Sequence, residues 1–298
     1  MRIERLAIIG VGLIGGSLAA SLRAQGLVGE VIGCGRSEAN LIEGVELGVL
    51  DRYTFDPAVA ARHADMVVVA VTLGQTDAIL SALVPALAPH AVVTDVGSTK
   101  GALVARAKAT LGTRFPSFVP GHPIAGGERG GVAAARPELF RDHRVILTPT
   151  AETDPDAVAR VHAMWAATGA TLVRMTPEHH DEVLAATSHL PHMLAYALVD
   201  SLAGLGAGGG AIFDYAAGGF RDFTRIASSN PEMWRDIALE NGLAIDALCA
   251  RFEATLGELR SAIRAGDGAT LEAMFSRART ARDAWLERRA RAAEGKPV

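Results

Sequence analysis

Lysine is nearly missing from this sequence. Its 298 residues hold only three, Lys100, Lys108 and Lys296, against 29 basic residues in all. Any mechanism that needs a lysine between Lys108 and Lys296 is therefore excluded. Cysteine is scarce too. Cys34 and Cys249 stand far apart with no C-x-x-C, which excludes a disulfide framework. Both read as reduced thiols of a cytoplasmic protein, and neither sits in the electropositive motif that a catalytic thiolate needs. No charge-free apolar stretch of about 18 residues occurs, so no membrane span is expected. The apolar run after the first five residues is too short for a signal peptide. A basic excess is absent as well: the formal net charge is −4, and nucleic acid is not an expected partner. No His, Asp and Glu set has the spacing of a metal site. His179-His180-Asp181 comes nearest, but neighbouring residues on a helix point different ways, so no metal is expected.

What is present is alternation. Short apolar runs at residues 6–9, 31–33, 66–71, 91–94, 117–119, 145–147 and 171–173 are separated by helical patterns through residue 174. The unbroken run Met66-Val67-Val68-Val69-Ala70-Val71 suggests a strand buried on both faces, as in a parallel sheet. The fold class is α/β: a doubly wound Rossmann-type dinucleotide-binding domain at 1–174, followed by an all-α domain at 175–298. In the second part Thr176-Pro177 reads as an N-cap with proline in the first turn, opening a helix to about residue 202 that bends at Pro191. A glycine-rich loop covers 204–210. Asn230-Pro231 opens a long amphipathic stretch that runs past Leu259 until Gly266-Asp267-Gly268 breaks it, and a last helix spans about 270–289. So much apolar helical face predicts a homodimer, with domain packing within one chain as the competing explanation.

The segment Leu6-Ala7-Ile8-Ile9-Gly10-Val11-Gly12-Leu13-Ile14-Gly15 reads as strand, tight turn, helix. Gly10 permits the turn, Gly12 lets the backbone approach a pyrophosphate, and Gly15 lets the helix pack on the strand. The first helical N–H groups, at Leu13 and Ile14, then face the phosphates. An acid should end the second strand if a ribose 2′-hydroxyl is to be held. The sequence there is Cys34-Gly35-Arg36-Ser37. Gly35 leaves room, while Arg36 and Ser37 suit a 2′-phosphate, so NADP is expected, with NAD as the alternative. Val71, Thr72 and Ser98, beyond the ends of later strands, complete the expected cofactor contacts.

Three further clusters lie where this fold places chemistry. They are Thr94-Asp95-Val96-Gly97-Ser98-Thr99-Lys100; Gly121-His122-Pro123-Ile124-Ala125-Gly126-Gly127-Glu128; and Ser188-His189-Leu190-Pro191-His192 with Gly218-Gly219-Phe220-Arg221-Asp222-Phe223-Thr224-Arg225. In their joint occurrence and order the chain resembles the prephenate and arogenate (cyclohexadienyl) dehydrogenases of tyrosine biosynthesis. The resemblance runs from Gly10 to Asn230-Pro231-Glu232-Met233-Trp234. It implies an oxidative decarboxylation: a hydride leaves C4 of a cyclohexadienol for the nicotinamide, carbon dioxide leaves C1, and a phenol forms.

That reaction needs a group for the C4 hydroxyl proton and a cation for the side-chain carboxylate. His122 fits the first need, since an imidazole titrates near neutrality, and the resemblance gives it the same role. Ser98 is expected to orient His122 or the substrate hydroxyl; it could also cap the following helix. Arg225 fits the second need through bidentate binding. The resemblance further implies substrate contacts from His192, Ser188, Gly218 and Asp222, and a gate at Glu128. His189 reads as a core histidine and Trp234 as packing. One departure stands out: Gly127 occupies a place where the family commonly has serine or threonine, which removes a hydroxyl near the substrate. Two rivals differ in class. A β-hydroxyacid dehydrogenase would use a lysine on its helical domain, which this chain does not have. A non-catalytic nucleotide-sensing subunit would not need His122, Ser98 and Arg225 together.

Overall fold

The computed structural model describes residues 2–127, 129–205 and 210–293. They fall into two compact units, residues 1–245 and 246–298. The first opens as strand and helix in alternation: β1 (Ile3–Ile9), α1 (Leu13–Ala24), β2 (Val28–Cys34), α2 (Glu38–Glu46), β3 (Arg52–Thr54), α3 (Pro57–Ala61), β4 (Met66–Val69), α4 (Leu73–Leu83), β5 (Val92–Asp95), α5 (Gly101–Leu111) and β6 (Phe118–Val119). The six strands form one parallel sheet in the order β3-β2-β1-β4-β5-β6. The order reverses between β1 and β4, so the carboxyl ends of these two strands border the crevice where such sheets bind ligands.

The chain then turns into a second sheet. β7 (Gly121–Pro123) runs antiparallel to β8 (Arg144–Leu147), and α6 (Pro155–Ala167) leads to β9 (Thr171–Arg174), parallel to β8. One core packs α1, α2 and α6 on one face of the large sheet, around Leu18, Leu41 and Trp165. A second packs α3, α4 and α5 on the other face. β4 is buried along its whole length, as the unbroken apolar run requires. Neither β3 nor β7 is signalled by the sequence pattern. β3 has three residues at a sheet edge, and β7 carries a glycine and a proline, which read as a turn.

After β9 the strands stop, as the sequence pattern indicates. α7 (Pro177–Leu184) and α8 (Leu190–Ala203) are joined by a π-helical turn, Ala185–His189. Pro191 has no N–H to donate to the turn before it. The chain absorbs that by widening one turn upstream of the proline, and the helix continues. Residues 206–209 of the glycine-rich loop lie outside the described residues; α9 (Gly210–Phe213) and α10 (Gly218–Thr224) follow. The amphipathic stretch from Pro231 is two helices: α11 (Pro231–Glu240) ends at Asn241, and α12 (Gly242–Ala265) begins after it. The break has a cause, since the Asn241 side chain is committed elsewhere, as described below. Trp234 and Ile237 of α11 join the second core. In the second unit, α12 leads through Asp267, whose carboxylate accepts the Thr270 N–H, into α13 (Gly268–Ala293). Among the described residues no helix is long and apolar enough to cross a membrane.

Candidate active site

The glycine turn leaves a donor-rich opening at the start of α1. Gly10 has φ +101°, and a Cβ there would collide with the Ala70 carbonyl at the end of β4. A Cβ on Gly15 would collide with the Gly10 carbonyl and Ile8. Gly12 differs: a Cβ there meets nothing within 4 Å. It occupies the N-cap of α1 with no side-chain cap, so the N–H groups of the first turn are left for a ligand. That open, donor-rich space fits a pyrophosphate. Asn40 fixes the turn from α2 by donating to the Val11 carbonyl at 2.6 Å. At the end of β2, Gly35 packs loosely on Leu41, and Arg36 is exposed with no protein partner among the described residues. Ser37 caps α2 through the Asn40 N–H. Val71 and Thr72 follow β4, half-buried at the same edge. No carboxylate ends β2.

β7 carries His122 beside the end of β5. The register is held by a knot around a buried ion pair. Asp95 Oδ1 accepts the Gly121 N–H at 3.1 Å, and Asp95 Oδ2 accepts the Gly97 N–H at 2.7 Å and the Lys100 ammonium at 2.5 Å. Lys100 and Asp95 are 0% and 2% exposed. A buried pair survives only when its remaining donors and acceptors are satisfied, and these two backbone N–H groups do that.

His122 Nδ1 lies 2.8 Å from His180 Nε2, and His180 Nδ1 lies 2.8 Å from Asp181 Oδ1. Asp181 also accepts the Lys100 and Gly101 N–H groups, each at 2.8 Å. It thus caps α5 from α7. Ser98 does not cap that helix, which starts three residues later; its hydroxyl has no protein partner among the described residues. His122 Nε2 is likewise free of any hydrogen bond among them. Asn241 closes the arrangement by donating to the Asp181 carbonyl at 2.9 Å and meeting His189 Nδ1 at 3.1 Å. His189, with a further hydrogen bond to the Ser98 backbone, is a satisfied core histidine.

The other substrate candidates sit on the helices. His192 Nδ1 donates to the Ser188 carbonyl at 2.9 Å, and its ring stacks on Trp234 with centroids 3.6 Å apart. Arg225 lies near enough for its charge to depress the His192 pKa. These three therefore gather. Gly218 and Asp222 are exposed on α10, and the Asp222 carboxylate faces the Arg221 guanidinium at 3.3 Å. Glu128 lies outside the described residues. At Gly127 a Cβ would come within 3.2 Å of the end of the Leu13 side chain, so the loop after β7 lies against the start of α1. The sequence pattern assigns His180, Asp181 and Asn241 no role at the site, and it marks Asp95 and Lys100 only as members of a cluster, not as a buried pair. His180 and Asp181 are 58 and 59 residues from His122, and no spacing rule connects them.

Burial holds every ring of this set neutral. It drives the His122 pKa well down, aided by His180, Lys100 and His189. It lowers His180 against the opposing pull of Asp181, and takes His189 down to about 4. In the unfolded chain these rings would titrate near 6.5. Below that pH the unfolded state binds more protons than the folded one, so stability falls as pH falls. His189 alone would forfeit about 3 kcal/mol between pH 6.5 and 4. Urea unfolding at pH 7.5, 6 and 5 should show a stepwise loss; a midpoint independent of pH would contradict this account.

Two family models match the chain. Residues 18–174 match the nucleotide-binding domain of prephenate dehydrogenase, and residues 176–277 match its dimerization domain. A cyclohexadienyl dehydrogenase from Zymomonas mobilis is 39% identical over 94% of this chain and 95% of its own. A crystal structure of prephenate dehydrogenase from Aquifex aeolicus, in complex with hydroxyphenyl propionate and NAD+, superposes with a TM-score of 0.87. It is 36% identical, over 95% of this chain and 99% of that one. A Synechocystis arogenate dehydrogenase superposes with a TM-score of 0.78 at 30% identity, over 94% of this chain and 99% of that one.

Proposed function

The chain belongs to the prephenate dehydrogenase family, and we propose that it oxidatively decarboxylates prephenate or arogenate, giving 4-hydroxyphenylpyruvate or tyrosine. The observation that carries this reading is His122: a neutral ring, anchored through one nitrogen and bare at the other, on a short strand beside the dinucleotide cleft.

In this reading the half at 1–174 binds the dinucleotide, and the half at 175–298 binds substrate and forms a homodimer. Exposed Tyr215, Phe223, Leu239 and Leu243 support an interface in the helical part. A bound nicotinamide supplies the hydride acceptor. Leu13, Ile14 and Gly15 offer their N–H groups to its phosphates, Gly12 leaves it room, and Gly10 permits the turn. His122 Nε2 takes the C4 hydroxyl proton as the ring becomes aromatic, and the Ser98 hydroxyl orients that oxygen. Arg225 holds the side-chain carboxylate. His192, with Nδ1 given to Ser188, has Nε2 left as an acceptor for a substrate donor group.

NADP is the proposed cofactor. Arg36 is exposed and uncommitted among the described residues, and β2 does not end in a carboxylate. A charge-assisted contact of this kind is worth about 1.5–3 kcal/mol. Arg36→Ala should therefore lower kcat/KM for NADP+ by about tenfold or more while changing NAD+ less than twofold. A wild-type preference for NAD+ would sink the assignment. Kinetics with prephenate or arogenate, each with NADP+ or NAD+, tests the whole reading; no turnover in any of the four pairings would overturn it.

A further inference from the structure

We propose that His180 and Asp181 are positioning residues that fix which nitrogen of His122 carries its proton, and so which one meets the substrate as a base. The inference rests on the reading of His122 as proton acceptor.

The geometry leaves one consistent set of hydrogens. Asp181 accepts two backbone N–H groups at the N-terminus of α5, where the helix field also favours an anion. Against the opposing effect of burial, the His180 hydrogen bond and these two contacts hold its pKa low, so it has no proton to give. His180 Nδ1, 2.8 Å away, must then donate. A neutral His180 has its second nitrogen bare, so across the next 2.8 Å contact His122 Nδ1 must donate to it. A neutral His122 is thereby left with Nε2 bare, the nitrogen with no partner among the described residues. Neither ring can turn to exchange its nitrogens without breaking the chain. His180 is fully buried, and its ring packs against that of His122 with centroids 5.1 Å apart.

The other charges nearby do not compete. Lys100 is taken by Asp95, and His189 is held by Asn241 and the Ser98 backbone. Asp181 is therefore the anion in line with His122. When Nε2 takes the substrate proton, the imidazolium positive charge stands one ring away from that carboxylate. A histidine–acid pair uses the same logic to set a tautomer and steady the cation; here a second imidazole extends it.

The wild-type enzyme provides the first test, through histidine ring 15N–1H correlation spectra of the unliganded protein. The proposal requires His122 and His180 both protonated at Nδ1 and bare at Nε2. A His122 protonated at Nε2 instead overturns it. Kinetics provide the second. His180→Ala should lower kcat by about 10²-fold, within the range ascribed to acid–base help, with substrate KM and dinucleotide affinity nearly unchanged. His180→Gln restores an acceptor for His122 Nδ1–H and should recover about tenfold of that loss. Unchanged kcat in a folded His180→Ala protein overturns the proposal. His122→Asn separates the two readings: full activity there means that His122 is not the base, whereas loss there with none at His180 refutes the positioning role alone.

Discussion

His122→Asn is expected to cost about 10²–10⁴-fold in kcat while leaving the dinucleotide dissociation constant unchanged. The magnitude is that of a lost general base. The separation of effects follows from where things sit. His122 is on β7 beside the end of β5, whereas the uncapped N–H groups proposed to hold the phosphates open α1, beyond β1. Asparagine keeps an amide N–H that can still reach His180, so the packing around β7 should survive. Steady-state kinetics and a fluorescence titration of dinucleotide binding check both halves. Turnover within threefold of wild type would remove His122 from the chemistry. Loss of dinucleotide binding would mean that the substitution had disturbed the fold of the cleft.

Lys100→Met should produce the largest loss of stability. It leaves the Asp95 carboxylate, 2% exposed, with two backbone N–H groups and no cation. Removing one partner of a buried pair typically costs about 3–5 kcal/mol. At about 2–4 °C per kcal/mol for a large domain, the Tm should fall by about 10 °C. Pairing it with Asp95→Asn removes the stranded charge and should recover part of the loss. Activity should fall in parallel, because Asp95 also fixes the Gly121 N–H next to His122. A Tm within 2 °C of wild type would mean that the carboxylate finds other compensation.

The sequence reveals the dinucleotide half well because its signals are local. A six-residue apolar run gives β4, and three glycines within six positions give the turn after β1. The helical half is less legible. Asn241 looks like an ordinary surface residue within an amphipathic stretch, and only its bonds to Asp181 and His189 explain why α11 stops there. Pro191 announces a disturbance, but the response is a widened turn upstream at Ala185–His189. At the site, His122, Ser98, His192 and Arg225 could be named from motifs of a few residues. His180 and Asp181 could not, since their importance comes from three-dimensional closure across 58 residues. Lys100 was visible mainly as a rarity among basic residues. Its burial against Asp95 depends on a turn at Gly97 that composition does not report.

The capping of α5 by a residue of α7 carries a consequence for how the protein is born. A ribosome delivers the chain from its amino end, so all the strands of the large sheet and α5 itself are synthesised before residue 181. Until Asp181 arrives, the N–H groups of Lys100 and Gly101 have no carboxylate, and His122 has no neighbour to settle its proton. If His122 is the base as proposed, the glycine turn can form first and the base acquires its proton arrangement later, from the same side chain that caps α5.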